Sequence, residues 1–141
     1  MKETLKSGVS FTAKALIEKD KTIGFMGEDL RVYATPFMVQ DAERSCRNFM
    51  LEHLEDGEDT VGSRVEIDHL GPTLVGQTIE IAGKVLEVEG PRVLFEIEIR
   101  DELDTVGRVR HTRFVVEKAR QGGRLEKKKA RLAEAGVERN L

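Results

Sequence analysis

Over much of this chain the apolar residues fall at every second position. In "SFTAKALIEKD", Phe11, Ala13, Ala15 and Ile17 alternate with Thr12 and Lys14, the pattern of a half-buried strand. The same period returns from Thr60 onward. Val65, Ile67 and His69 share one face, and Ile79, Ile81, Val85 and Val88 mark the next strand. "PRVLFEIEIRD" sets Val93, Phe95, Ile97 and Ile99 against Leu94, Glu96 and Glu98. "GRVRHTRFVVEKA" sets Val109, His111, Arg113 and Val115 against Arg110, Thr112, Phe114 and Val116. Gly90 with Pro91, and "DELDTVG" from Asp101 to Gly107, supply the connections and make these strands antiparallel neighbours.

One long segment obeys a different period. Thr35 precedes Pro36; proline suits the first helical position and threonine is a good N-cap, so a helix is predicted to start there. At about 100° per residue, Met38, Val39, Ala42, Cys46, Phe49 and Met50 fall on one arc, with Asp41, Arg44, Arg47 and Asn48 mostly opposite. The amphipathic helix is predicted to run to about Leu54, where "EDGED" ends it. The preceding "KTIGFMGEDLRVYA" has no period and reads as a loop with at most a short turn. Strand, helix and four longer strands make an α+β fold in which the helix buries its arc on a mostly antiparallel sheet.

Composition narrows the picture. The chain has 141 residues, 39% of them hydrophobic and 35% charged, enough for one domain with a real core. That domain is placed at residues 1–120, followed by a charged, partly helical tail at 121–141 with sparse anchors at Leu125, Leu132 and Val137. A net charge of −3 gives no whole-molecule attraction to nucleic acid or to an anionic membrane. No apolar run reaches the length of a membrane span. The N-terminus "MKETLKSGVSFTAKAL" lacks the apolar stretch of a signal peptide, and the one cysteine, Cys46, cannot form an intramolecular disulfide. The expected location is cytoplasmic.

Three polar residues stand out. Thr35 is explained by capping. Glu43 lies at the edge of the apolar arc between Met50 and Leu54, either at the solvated rim or partly buried. His69 ends a strand just before "LGPT", where the imidazole is either a satisfied structural group or open to a ligand. His53, inside the helix arc near its end, reads as core or as a partner of the helix dipole. His111, beside Arg113, is open between roles. Phosphate-loop, dinucleotide, zinc and hydrolase-elbow motifs are absent, and no metal or cofactor is expected. Cys46 reads as core and Lys127 to Lys129 as a solvated face.

The stretches "YATPFMVQDAERSC", "VEIDHLGPTLVGQTIEIAGKV" and "GRVRHTRFVVEKAR" resemble the fluoroacetyl-CoA thioesterase group of the hotdog-fold thioesterases, over about Ser10 to Arg120. The resemblance implies a long central helix wrapped by an antiparallel sheet, paired as a homodimer or a higher oligomer such as a tetramer, with the acyl thioester held where two subunits meet. It places the family's catalytic threonine, glutamate and histidine at Thr35, Glu43 and His69. His69 is then the general acid/base, Glu43 the nucleophile or water-activating base, and Thr35 the group that orients the carboxylate or the thioester oxygen. Backbone N–H groups near Pro36, Phe37 and Met38 are the expected oxyanion donors, proline itself giving none. Arg110, Arg113 and Arg120 are candidate contacts for CoA phosphates, or else surface residues. Two features depart from the pattern: the segment before the helix is shorter and carries only Phe25 and Tyr33 as aromatics, and Pro36 stands where glycine is common. The expected activity is therefore acyl-CoA thioester hydrolysis on a small or medium acyl group not restricted to fluoroacetyl. A carrier-protein thioester, an enoyl-thioester hydratase using His69 with Asp68, and a non-catalytic acyl-CoA-binding dimer are the competing readings.

Overall fold

The computed structural model describes residues 1–141. Seven strands and two helices follow in the order β1 (Ser10–Leu16), β2 (Thr22–Ile23), β3 (Val32–Tyr33), α1 (Thr35–Leu51), β4 (Glu58–His69), β5 (Thr78–Glu89), β6 (Arg92–Arg100), β7 (Thr105–Glu117) and α2 (Lys118–Glu134). The main sheet is antiparallel throughout, in the order β1-β5-β6-β7-β4, and β2 pairs with β3 in a separate small hairpin. The segment expected to be a loop is thus a short hairpin with two single turns of 3-10 helix, at Lys19–Lys21 and Glu28–Leu30.

Alternation gives the sheet two unlike faces. Ile79, Ile81 and Val85 of β5, Val93, Phe95, Ile97 and Ile99 of β6, and Val109 of β7 are buried against Met38, Ala42, Cys46, Phe49 and Met50 of α1. Fully burying side chains of this size contributes about 1.5–3 kcal/mol each relative to exposure, so these two faces supply most of the drive for folding. Phe49 stacks on Phe11 with ring centres 4.9 Å apart and meets Phe95 edge-on at 6.3 Å. The outer face is charged: Glu66, Asp68, Lys84, Glu96, Glu98, Arg108 and Arg110 line a shallow cleft of about 550 Å³ there. Asp68 points to that face and His69 to the other, so the two do not form the paired acid and base that a hydratase would use.

Two details fix where α1 sits against the edge strand. Gly107 pairs with His69 across β7 and β4; a Cβ at Gly107 would come within 2.6 Å of Met38 Sδ, so the missing side chain lets the first turn of α1 lie directly on the sheet beside His69. In β4 the register slips between Gly62 and Arg64, leaving Ser63 as the extra residue of a bulge. No helix is long and apolar enough to cross a membrane. The C-terminal helix begins at Lys118, three residues before the expected boundary, and buries none of its residues.

Candidate active site

The first turn of α1 departs from the expectation at Thr35. Ala34, not Thr35, is the N-cap: its carbonyl accepts the N–H groups of Phe37 (3.0 Å) and Met38 (3.1 Å). The cause lies upstream, where Ala34 N–H donates to the Lys21 carbonyl at 2.9 Å and extends the β2–β3 pairing one residue further. Thr35 therefore enters the helix with its hydroxyl free of capping. That hydroxyl meets the imidazole of His69, Oγ1 to Nδ1 being 2.7 Å. The expected donors at Phe37 and Met38 are already used by Ala34, whereas the Thr35 N–H makes no hydrogen bond and Thr35 is exposed. Pro36 is exposed and Phe37 half-buried, its side chain packed on the core.

His69 is half-buried, and loss of hydration pushes its pKa below the usual histidine value, with a backbone contact at Gly71 working weakly the other way. A neutral imidazole is the form that accepts a proton, so the shift suits a general base at neutral pH. The direction of the Thr35 contact follows the tautomer: with the ring proton on Nε2 the Thr35 O–H donates to Nδ1, and with it on Nδ1 the ring donates to Thr35 Oγ1 and leaves Nε2 open to accept a proton.

Glu43 lies elsewhere. Along α1 it is roughly 12 Å from Thr35 at 1.5 Å per residue, and its carboxylate sits under Gly62, whose built Cβ would be 3.5 Å from Oε2. Gly62 and His69 are in turn roughly 20 Å apart along β4. Within one chain Thr35 and His69 come together and Glu43 does not join them.

Around Glu43 is a buried polar cluster that sequence reasoning did not find. Arg113, expected at a phosphate or on the surface, is only 5% exposed. Its Nε donates to Thr60 Oγ1 (2.8 Å), one terminal nitrogen to the Thr60 carbonyl (3.0 Å) and the other to His111 Nε2 (3.1 Å); that last nitrogen is also 3.9 Å from Glu43 Oε2. Because Arg113 always donates, His111 Nε2 accepts, which leaves Nδ1–H to donate to the Arg64 carbonyl at 2.8 Å. His111 is thus a neutral imidazole in a defined tautomer, and burial lowers its pKa, as does the charge on Arg113. The pairing of two cationic side-chain types on one strand face was the available signal, since such a face can be buried only when the groups satisfy each other.

One further expectation is corrected by burial. Asp41, placed on the charged side of the wheel, is 4% exposed and hydrogen-bonded to Tyr33 and Lys21. His53 is half-buried against Phe49 and pairs with Thr4 through Nδ1 at 2.7 Å. Cys46 is core as expected, its thiol pushed up to about 12 mainly by burial.

A long helix packed against an antiparallel sheet is the hotdog fold of the thioesterase superfamily. A Thermus thermophilus hypothetical protein of that superfamily superposes with a TM-score of 0.83 at 30% identity, covering 91% of this chain and 96% of its own. Residues 17–119 match the family described as fluoroacetyl-CoA-specific thioesterase, and the chain belongs to that family of thioester hydrolases. The fluoroacetyl-CoA thioesterase of Streptantibioticus cattleyicolor is 29% identical over 123 residues, 82% of this chain and 88% of that protein. A point mutant of the fluoroacetyl-CoA-specific thioesterase FlK, solved with fluoroacetate and CoA, matches with a TM-score of 0.76 at 28% identity over 82% of this chain and 98% of its own.

Proposed function

We propose that the protein hydrolyses acyl-CoA thioesters carrying a small or medium acyl group, at a site built by two copies of the chain. The observation that carries the reading is the 2.7 Å contact between Thr35 and His69 at the start of α1. The complexes of related thioesterases with CoA and with acetyl-CoA support a CoA thioester as substrate.

The second copy is argued from β4. This 12-residue strand forms one edge of the sheet with no neighbour beyond it, and a long open edge invites pairing. In a two-fold dimer the strand pairs antiparallel with its own copy. The half of β4 that carries His69 then runs beside the half of the partner strand that carries Gly62, and the partner subunit's Glu43 approaches Thr35 and His69. Each site takes its hydroxyl and imidazole from one protomer and its carboxylate from the other. Arg113, held by Thr60 and His111, flanks that carboxylate.

In the reaction, water attacks the thioester carbonyl carbon as the partner's Glu43 or His69 takes its proton. Thr35 keeps the imidazole oriented, and its free N–H is placed for the developing oxyanion. The C–S bond breaks and the group that took the proton returns it to the leaving sulfur, giving the free acid and CoA thiol. Phe25, Met26 and Leu30 ahead of Thr35, and Leu70, Leu74 and Val75 after His69, are exposed in the single chain and form an apolar surround for the acyl group. The buried thiol of Cys46 suits a reducing compartment such as the cytoplasm.

The test is thiol release from acetyl through medium-chain and aromatic acyl-CoAs by wild type and His69→Ala. Loss of roughly 10²–10⁴ in rate is expected for removing a general acid/base. Wild-type turnover unchanged in the variant would end this mechanism, and no turnover of any member by folded dimer would leave an acyl-CoA-binding protein.

A further inference from the structure

A second polar chain lies beneath the Thr35–His69 pair and takes no part in the chemistry above. Tyr33, fully buried, meets the His69 ring nearly edge-on, with centres 6.2 Å apart and planes at 70°. Its hydroxyl donates to Asp41 Oδ2 at 2.5 Å, and the other oxygen of Asp41 accepts from Lys21 Nζ at 2.9 Å. The backbone closes the same knot. Tyr33 N–H donates to the Thr73 carbonyl (2.9 Å), just past His69, and the Lys21 carbonyl accepts from Ala34 (2.9 Å), just before Thr35.

Stability alone does not call for this arrangement. Burying an ion pair costs desolvation that its attraction often only offsets, and a phenyl ring with an apolar partner would fill the same space. What the chain supplies is direction: the bond to Asp41 anchors the far end of the Tyr33 ring, and the ring forms a wall along one side of the imidazole of His69 that limits how it can lie. An imidazole at a strand end, held only by the Thr35 hydroxyl and a weak backbone contact at Gly71, otherwise has freedom about its last torsion, which is broad.

We propose that Lys21, Asp41 and Tyr33 are positioning residues that lock the Tyr33 ring against His69 and so hold the imidazole on the Thr35 hydroxyl. The inference rests on the reading of Thr35 and His69 as the reacting pair. Tyr33 also keeps water from one side of the imidazole, the burial that lowers the His69 pKa.

The experiment follows the His69 imidazole by NMR pH titration in the whole protein, alongside kcat and KM, in Tyr33→Phe, Tyr33→Leu and Asp41→Asn. Tyr33→Leu removes the wall: the His69 midpoint should rise toward the ordinary histidine value, and kcat should fall by about tenfold or more with KM nearly unchanged, since misplacement by about 1 Å can cost 10²-fold. Tyr33→Phe and Asp41→Asn keep the ring but free it, and should lower kcat by a smaller factor while leaving the titration near wild type. If Tyr33→Leu does not fold, these two variants carry the test: kcat at wild-type level in both overturns the proposal. So does a Tyr33→Leu protein with lower melting temperature but unaltered His69 titration and kcat. Full activity in His69→Ala would instead overturn the catalytic reading, with the titrations still deciding whether Tyr33 sets the imidazole.

Discussion

Replacing Arg113 by methionine tests whether the buried fork beside Glu43 is held as described. The side chain is 5% exposed and its guanidinium makes three hydrogen bonds, to Thr60 Oγ1, the Thr60 carbonyl and His111 Nε2. Methionine fills a similar volume, so a cavity contributes little, and relief of the buried charge offsets part of the loss. Deleting a hydrogen bond from a charged donor costs about 1.5–3 kcal/mol, but Thr60 and His111 retain other ways to be satisfied, so a net loss of about 2–4 kcal/mol is expected. At ~2–4 °C per kcal/mol for a chain of this size, the melting temperature should fall by roughly 4–16 °C. The assay is urea and thermal unfolding at one fixed protein concentration, because association adds to apparent stability. Arg113→Lys is the informative companion: it keeps the charge yet cannot serve all three acceptors in one plane, so it should recover less than half of the loss. Wild-type stability in Arg113→Met would refute the argument, and full recovery by lysine would show that charge, not the fork, matters.

Four further outcomes are expected. Because Thr35 is not the N-cap, Thr35→Ala should stay within about 0.5 kcal/mol of wild type in unfolding, where loss of a true cap costs about 1 kcal/mol, while kcat falls and Thr35→Ser restores most of it. His69 and His111 both have folded pKa values below that of a free histidine. The unfolded chain therefore binds more protons as pH falls below about 6.5, and stability present above that pH should decline from pH 7.5 to 5.5; a flat profile over that window would contradict the buried, neutral His111. The acid limb of kcat/KM should lie below 6.5 for the same reason, read from initial rates. Cys46, buried and with its thiol pushed up to about 12, should not react with a thiol reagent in the native protein and should react fully in denaturant.

Period-two alternation alone located β1 and the four long strands, with β6 and β7 found within a few residues of their ends, because burial of one sheet face writes itself directly into the order of side chains. The Thr35-Pro36 pair located the start of α1, and the apolar arc located its buried face, because backbone restriction and a 3.6-residue repeat are local properties. Residue identity, helped by family resemblance, singled out Thr35, Glu43 and His69. Which groups touch is not a local property. Whether Thr35 caps the helix or faces His69 depended on a hydrogen bond from Ala34 back to Lys21. Whether Asp41 faces solvent depended on Tyr33 and Lys21 arriving from an irregular segment with no period to read. Arg113 was moved from a presumed surface to the interior by Thr60 and His111, residues 53 and two positions away. Only the fold could separate Glu43 from His69 within one chain, because helix and strand diverge over distances that spacing in sequence does not encode, and that separation is the physical reason for expecting the site to need a second copy.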